Sequence, residues 1–498
     1  MKLTIDPERV LFSRDPMIYG HFLEHFDRQV YGGVYDPGNP LSDEDGFRTD
    51  VIEALKAINT PVIRWPGGCF VSAYHWKNGV GKDRVPSFDK AWRVEEPNSF
   101  GTDEFVKLCR KIGCEPYICT NAGTGTSEEM SDWVEYCNLP TEGEYAKKRI
   151  DGGNEAPYNV RYWSVGNENY LPGEMGSKTF DEWGRFVLES AKMMHRVDPS
   201  IELSAAAHAD VDWCARLLKE AGKQLRWISL HDYMDPLWEV NAPAGYTACM
   251  ARTTNLDDHV KKIRGLLTAF GLEKQIRIAY DEWNLRSWHH PHVNDAPIGS
   301  TEFLDARKEA DDNSVYTTAD SVFTGCFLNM CLKNADIVGM ANYAPVVNTR
   351  GVIYTYDGGI VLRPTYHVFR MYTQLMGDTI VDGYEAEAPV KVMKDRTGKE
   401  IPVQLIDSAA TIDSASGELC ISLINKDPEE AQEITLRFPE TYAVRYAETL
   451  AGTNADDYND VDRNDVVPYE NTAAEGLSGQ EITFTLPAHS VSVVRLNK

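Results

Sequence analysis

The chain has 498 residues, 42% of them hydrophobic and 25% charged, a composition that excludes both a small stapled domain and a largely disordered one. A formal net charge of −26 repels phosphate backbones and anionic lipid. Nucleic acid and membrane surfaces are therefore excluded as partners, and a neutral small molecule fits better.

The start, Met1-Lys-Leu-Thr-Ile-Asp-Pro, has no apolar stretch long enough for a secretory leader, and no later run approaches a membrane span. Ten cysteines are scattered without CxxC pairs, as expected of reduced thiols. Together these features lead us to expect a cytoplasmic location. Eight short apolar runs follow, each leading through a polar or Gly/Pro-rich loop into a helical period. They are Met17–Phe26, Pro61–Cys69, Glu115–Gly123, Val160–Glu168, Ile201–Ala207, Arg226–Tyr233, Ile276–Asn284 and Gly339–Asn348. Helices are expected between them, among others over Thr49–Ile58, Thr102–Ile112, Lys178–His195 and Ser314–Leu332, with a closing helix at Pro364–Met376. Eight such alternations make a (β/α)₈ barrel. A doubly wound open sheet would carry a Gly-rich phosphate turn after its first strand, and Gly20-His-Phe-Leu-Glu24 is not one.

From about Thr379 the rhythm changes to period-two runs: Val390–Met393, Leu419–Ile424, Glu433–Phe438, Ala443–Glu448, Glu481–Leu486 and Ser490–Leu496. Asp, Asn, Gly and Pro separate them, which is the pattern of an antiparallel, jelly-roll-like β-sandwich. The strand Lys2–Ile5 is expected to join that sandwich. The barrel is thus expected to span residues 15–377, and the sandwich residues 1–14 and 378–498.

In a barrel the chemistry sits at the C-terminal ends of the strands. Glu24, Arg64, Asn121, Asn167, Glu168, His231, Tyr233, Glu282, Asn284 and Asn348 lie at or near such ends. Run four ends Val165-Gly-Asn-Glu168, and run seven carries Asp281-Glu282-Trp-Asn. One glutamate at a strand end is ordinarily a solvated loop residue or an ion-pair partner. Two on opposed strands, each preceded by a polar residue that can orient it, can flank a glycosidic bond. A retaining glycosidase needs such a pair about 5–5.5 Å apart, with one member as acid and then base and the other as nucleophile. Glu168 takes the first role here and Glu282 the second.

These motifs resemble those of the α-L-arabinofuranosidases of glycoside hydrolase family 51. So do Gly20-His-Phe-Leu-Glu-His, Val62-Ile-Arg-Trp-Pro-Gly-Gly-Cys-Phe70, Tyr74-His-Trp-Lys-Asn-Gly-Val-Gly81 and Asn98-Ser-Phe-Gly-Thr-Asp-Glu-Phe105. The resemblance is specific through about Asn284 and weak in the sandwich. It implies that Glu24, Arg64, Cys69 and Asn167 help to hold the furanose hydroxyls, with His231 and Tyr233 lining the nucleophile. It also implies a homo-oligomer, hexamers being common in the family. Arg64 has an equal reading as a structural partner of Glu24 or Glu282, and His231 as an orienting donor. Cys69 reads as a pocket-lining thiol. Trp92, Trp288 and Asn348 are further candidates for substrate contact, and Trp76 is a candidate aromatic on the aglycone side. His289-His290-Pro-His292 lacks the spacing of a zinc helix, so no metal is expected. Acid/base and covalent catalysis by side chains needs no cofactor.

Two positions depart from the family pattern: Arg286, where many relatives carry Trp, and Pro345, where they carry Gln. Both positions belong to the sugar pocket in relatives. The expected activity is exo-acting release of terminal arabinofuranose from arabinoxylan or arabinan oligosaccharides. Galactofuranose or D-arabinofuranose specificity, a β-glycosidase or endo-glucanase, and a non-catalytic carbohydrate-binding protein are the alternatives.

Overall fold

The computed structural model describes residues 1–235, 242–287, 297, 300–302 and 311–498. Its first sheet is a barrel of eight parallel strands. In chain order they are Gly20–Phe22, Val62–Trp65, Glu115–Thr120, Tyr162–Val165, Glu202–Ala205, Trp227–Asp235, Arg277–Arg286 and Val338–Tyr343. Strand eight pairs with strand one, and a parallel bridge between Ala206 and Ser229 joins strands five and six, closing the ring. Every residue of strands two, four and eight is buried, as strands covered on both faces require. Each expected run overlaps a strand; Arg64, His231, Tyr233 and Glu282 lie on theirs, but Glu168 does not. Strand four ends at Val165, and the next residues turn through Gly166 (φ 74°) to Glu168 (φ 46°).

Outside the ring, sequence signals account for the helices. In Thr102–Ile112 the apolar side chains Phe105, Leu108, Cys109 and Ile112 share one buried face, while Glu104 accepts the Gly101 N–H at 2.8 Å. That helix stops at Gly113, whose φ of 90° suits glycine. The helix Thr318–Lys333 is different, being buried from Thr318 to Leu332. A helix buried on every side belongs between two layers, and this one lies between the barrel and the second sheet. A Cβ on Gly325 would come within 2.8 Å of the Ile424 Cδ1 atom, so glycine permits the close contact there. Tyr372 reinforces the junction, its hydroxyl reaching Ser422 Oγ at 2.7 Å and donating to the Gly325 carbonyl at 3.0 Å.

The second sheet has eight strands and folds over a core of its own that includes Leu3, Ile5, Ile421, Leu423, Leu436, Phe484 and Leu496. The strand Lys2–Ser13 pairs antiparallel with Thr379–Ala386, and Lys2–Thr4 also run parallel to Thr435–Arg437. Two expected runs, Glu433–Phe438 and Ala443–Glu448, are one strand, Gln432–Leu450, with a register break between Arg437 and Tyr442. The run Val390–Met393 lies outside this sheet, in a separate hairpin of Val390–Lys394 with Glu400–Gln404. Arg396 at the hairpin turn donates from Nε to Asp235 at 2.9 Å and from Nη2 to the Ala242 carbonyl at 2.6 Å. Among the described residues, no helix is long and apolar enough to cross a membrane. None of the ten cysteines is in a disulfide.

Ile5 is fully buried where the N-terminal strand meets the second core. Ile5→Ala should lower unfolding free energy by about 2–5 kcal/mol, seen as an earlier transition in a denaturant titration, with activity at room temperature unchanged.

Candidate functional site

Arg64, on strand two, is the hub of the barrel mouth. It is fully buried, and its Nη1 donates to Glu282 Oε1 at 2.6 Å and its Nη2 to Asn167 Oδ1 at 3.0 Å. Its Nε lies 3.3 Å from Asp281 Oδ2. Asp281 is held from beneath by the hydroxyls of Tyr117 at 2.9 Å and Ser229 at 2.5 Å. Burial opposes its charge, but Arg64 and then His231 and Ser229 outweigh that and hold its carboxyl below the usual range. The residue before Glu282 therefore orients it through Arg64.

Glu282 is 5% exposed and is gripped on both oxygens, since Tyr233 donates to Oε2 at 2.7 Å. Burial and the adjoining Glu282 charge keep the Tyr233 hydroxyl protonated. His231 Nδ1 lies 2.8 Å from Glu168 Oε1 and 3.6 Å from Glu282 Oε2, and its Nε2 lies 3.4 Å from Asp281. Burial alone would lower the His231 pKa, but Glu282, Asp281 and Glu168 lift it to about 10. The acidic side chains around His231 thus favour its protonated form. An oxygen of Glu168 and an oxygen of Glu282 come within 4.8 Å of each other.

Glu24 forms the opposite wall. Its Oε1 accepts the Gly68 and Phe70 N–H groups, both at 3.1 Å, and the Trp92 indole N–H at 3.2 Å. Burial and then repulsion from Glu282 push its pKa up to about 8, so at neutral pH it carries a proton, for which Oε2 is open. The Gly67-Gly68 pair makes this approach possible. Gly67 has φ 148°, a Cβ there would sit 2.4 Å from Glu24 Cγ, and one on Gly68 would sit 3.0 Å from Glu282 Oε1.

Cys69 lies beside Glu168 and Glu174, one ligand-type atom of each within 4.8 Å of the others. Burial and the neighbouring carboxylates raise its thiol pKa well above the usual value, which suits a wall and not a nucleophile. Asn167 Nδ2 is buried without a partner among the described residues, leaving a donor beside the carboxylate pair. Two trios have metal-ligand types, Cys69/Glu168/Glu174 and Glu168/His231/Glu282.

Several expected contacts fall elsewhere. Asn348 is fully buried, and its amide is consumed: Nδ2 donates to the Arg28 carbonyl at 2.7 Å and Thr355 Oγ1 at 2.8 Å, while Oδ1 accepts the Thr355 N–H at 2.8 Å. It shapes the turn after strand eight and has no donor left for a sugar. Trp76 stacks on Trp133 inside the wall, ring centroids 5.7 Å apart, and donates to the Glu129 carbonyl. Trp92 reaches the site through Glu24. Arg286 does not face the pocket with free donors. It is 1% exposed and binds Asp235 at 2.8 Å, the Ala244 carbonyl at 3.0 Å and Asp320 at 3.0 and 3.1 Å. Trp288 and the histidines at 289, 290 and 292 lie outside the described residues. Glu174, whose pKa burial raises to about 7, and Arg350 carry no sequence signal of their own. Both sit in loops beyond the strand ends, and polarity there is too common to single them out.

The sequence matches two family models, described as α-L-arabinofuranosidase 1 domain over residues 54–251 and α-L-arabinofuranosidase C-terminal domain over residues 281–490. It is 33% identical to an intracellular exo-α-(1→5)-L-arabinofuranosidase of Acetivibrio thermocellus, over 100% of this chain and 99% of the relative. Among solved structures, the α-L-arabinofuranosidase of Thermotoga maritima in its arabinose complex superposes with a TM-score of 0.87 at 34% identity, covering 99% of each chain. The family 51 enzyme of Thermotoga petrophila gives 0.87 at 33% identity over 100% of both chains.

Glu24 yields a pH signature. The folded acid keeps its proton up to about pH 8, whereas the unfolded chain releases it near pH 4.3. Stability from this group is complete below the unfolded value and is lost as pH rises through the folded one. Glu24→Gln, which mimics the protonated acid, should therefore gain stability relative to the unsubstituted protein across that window. The difference should be level on either side, as measured by thermal unfolding at a series of pH values.

Proposed function

The chain belongs to the α-L-arabinofuranosidases of glycoside hydrolase family 51, and we propose that it releases terminal arabinofuranose from arabinan and arabinoxylan oligosaccharides with retention of configuration. The observation that carries the stereochemical reading is the approach of Glu168 and Glu282 oxygens to within 4.8 Å. A retaining pair stands about 5–5.5 Å apart, whereas an inverting pair leaves roughly 6.5–9.5 Å for a water.

In the first step Glu282 attacks the anomeric carbon while Glu168 gives its proton to the departing glycosidic oxygen. The sugar is left as an ester on Glu282. In the second step Glu168 takes a proton from water, the water oxygen attacks the same carbon, and the ester bond breaks to return Glu282. The two ligands of Glu282, Arg64 and Tyr233, fix its rotamer for attack and are ready to receive the charge when it leaves the ester. His231 orients Glu168 from the side. Glu24, its free proton and the unpartnered Asn167 amide supply hydrogen bonds for sugar hydroxyls.

The name of the A. thermocellus relative supports exo action and a place inside the cell, where short oligosaccharides are the available substrates. Glu282→Ala should lower kcat on an aryl α-L-arabinofuranoside by at least about 10³-fold, with the variant still folded. A loss under about tenfold would remove Glu282 from the nucleophile role. The first sugar released by the unsubstituted protein, followed by proton NMR, should be the α-furanose, and a β-anomer product would contradict retention.

A further inference from the structure

Arg350 has no part in the scheme above. It is 6% exposed, and its guanidinium carbon lies 5.7 Å from the centroid of the Tyr233 ring, whose hydroxyl holds Glu282. Its charge acts on both Glu24 and Tyr233, so it stands at the same mouth. Yet its guanidinium makes no hydrogen bond or ion pair among the described residues, and Nε is buried without a partner. An arginine taken out of water normally directs its donors onto carboxylates or carbonyls. Arg64 and Arg286 do so here.

The backbone that carries Arg350 is pinned with unusual care. Asn284 Nδ2 donates to the Arg350 carbonyl at 3.2 Å. Arg363 Nη1 donates to the carbonyls of Thr349 at 2.7 Å and Gly351 at 3.0 Å, and Asp311 accepts the Thr349 N–H at 2.5 Å. The two preceding residues, Asn348 and Thr349, adopt φ of 53° and 44°, a left-handed conformation that costs free energy outside glycine. A strained turn held by these hydrogen bonds thus presents a side chain whose own donors stay unused.

We propose that Arg350 is a specificity-determining residue, its guanidinium donating hydrogen bonds to a non-anomeric hydroxyl of the terminal furanose. A neutral hydroxyl fits better than a ligand carboxylate, because the nucleophile Glu282 already places a negative charge at the same mouth and would repel a second anion. The inference rests on the furanosidase reading given above. It adds a binding group and leaves the roles of Glu168 and Glu282 as they are.

The test compares Arg350→Met and Arg350→Lys with the unsubstituted protein on an aryl α-L-arabinofuranoside and on its three monodeoxy analogues. Loss of a charged donor should lower kcat/KM for Arg350→Met on the complete sugar by at least about tenfold, with Arg350→Lys intermediate. On one monodeoxy analogue the same substitution should change kcat/KM by less than about twofold, because the hydroxyl partner is already gone. A loss under about threefold on the complete sugar, or the same factor on all four substrates, would overturn the proposal. If Arg350→Met fails to fold by circular dichroism, Arg350→Lys, which keeps charge and length, decides by the same comparison. Absence of turnover by the unsubstituted protein would overturn the furanosidase reading itself, a result distinct from an unchanged Arg350 variant.

Discussion

Arg64 is the constraint on which the mouth of the barrel depends. A fully buried guanidinium is tolerable only when its donors and charge are met, and here Asp281, Glu282 and Asn167 meet them. The converse also holds: Asp281 and Glu282 can be adjacent buried carboxylates because Arg64 lies between them. Strands two and seven and the loop after strand four are thereby tied at one point, and Glu168 directly follows Asn167 in that loop. Removing the arginine would strand two buried anions, which makes it as much a structural residue as a functional one.

Around that hub the site separates its carboxyl groups by environment. Glu24 is pushed toward the protonated form by burial and by Glu282. Asp281 is kept ionised by Arg64. His231 keeps its proton because three acidic neighbours outweigh burial. Each of these three groups owes its state in part to another member of the cluster. The glycine pair at 67 and 68 is the steric counterpart of this coupling, since a side chain at either position would occupy the space where Glu24 and Glu282 converge.

The barrel was legible because its strands are short runs buried on both faces and its helices carry their own start and stop signals, as Thr102–Ile112 does with Glu104 and Gly113. Facing positions on strands four and seven were enough to bring Glu168 and Glu282 together as candidates. Side-chain pairings across long sequence distances were not legible. Arg286 finds Asp235 and Asp320, which lie 51 and 34 positions away, so a residue expected in the sugar pocket braces the rim instead. Asn348 looked like a strand-end donor, but its amide is spent on Arg28 and Thr355. The opposite error concerns Arg350, whose lack of a protein partner is a tertiary property that no local pattern records. In the second sheet, Pro439 and the turn-like residues beside it suggested two strands where the chain bends through one.

The central claim is that Glu282 becomes covalently glycosylated between the two halves of the reaction. It is tested most directly by trapping that ester in Glu168→Ala, which lacks the base for the second step, with an aryl α-L-arabinofuranoside whose leaving group departs without acid assistance. Peptide mass spectrometry of the quenched protein should find one pentosyl unit on the peptide containing Glu282. A pentosyl adduct on Glu24 or another carboxylate, or turnover with no adduct and an inverted product, would contradict the account.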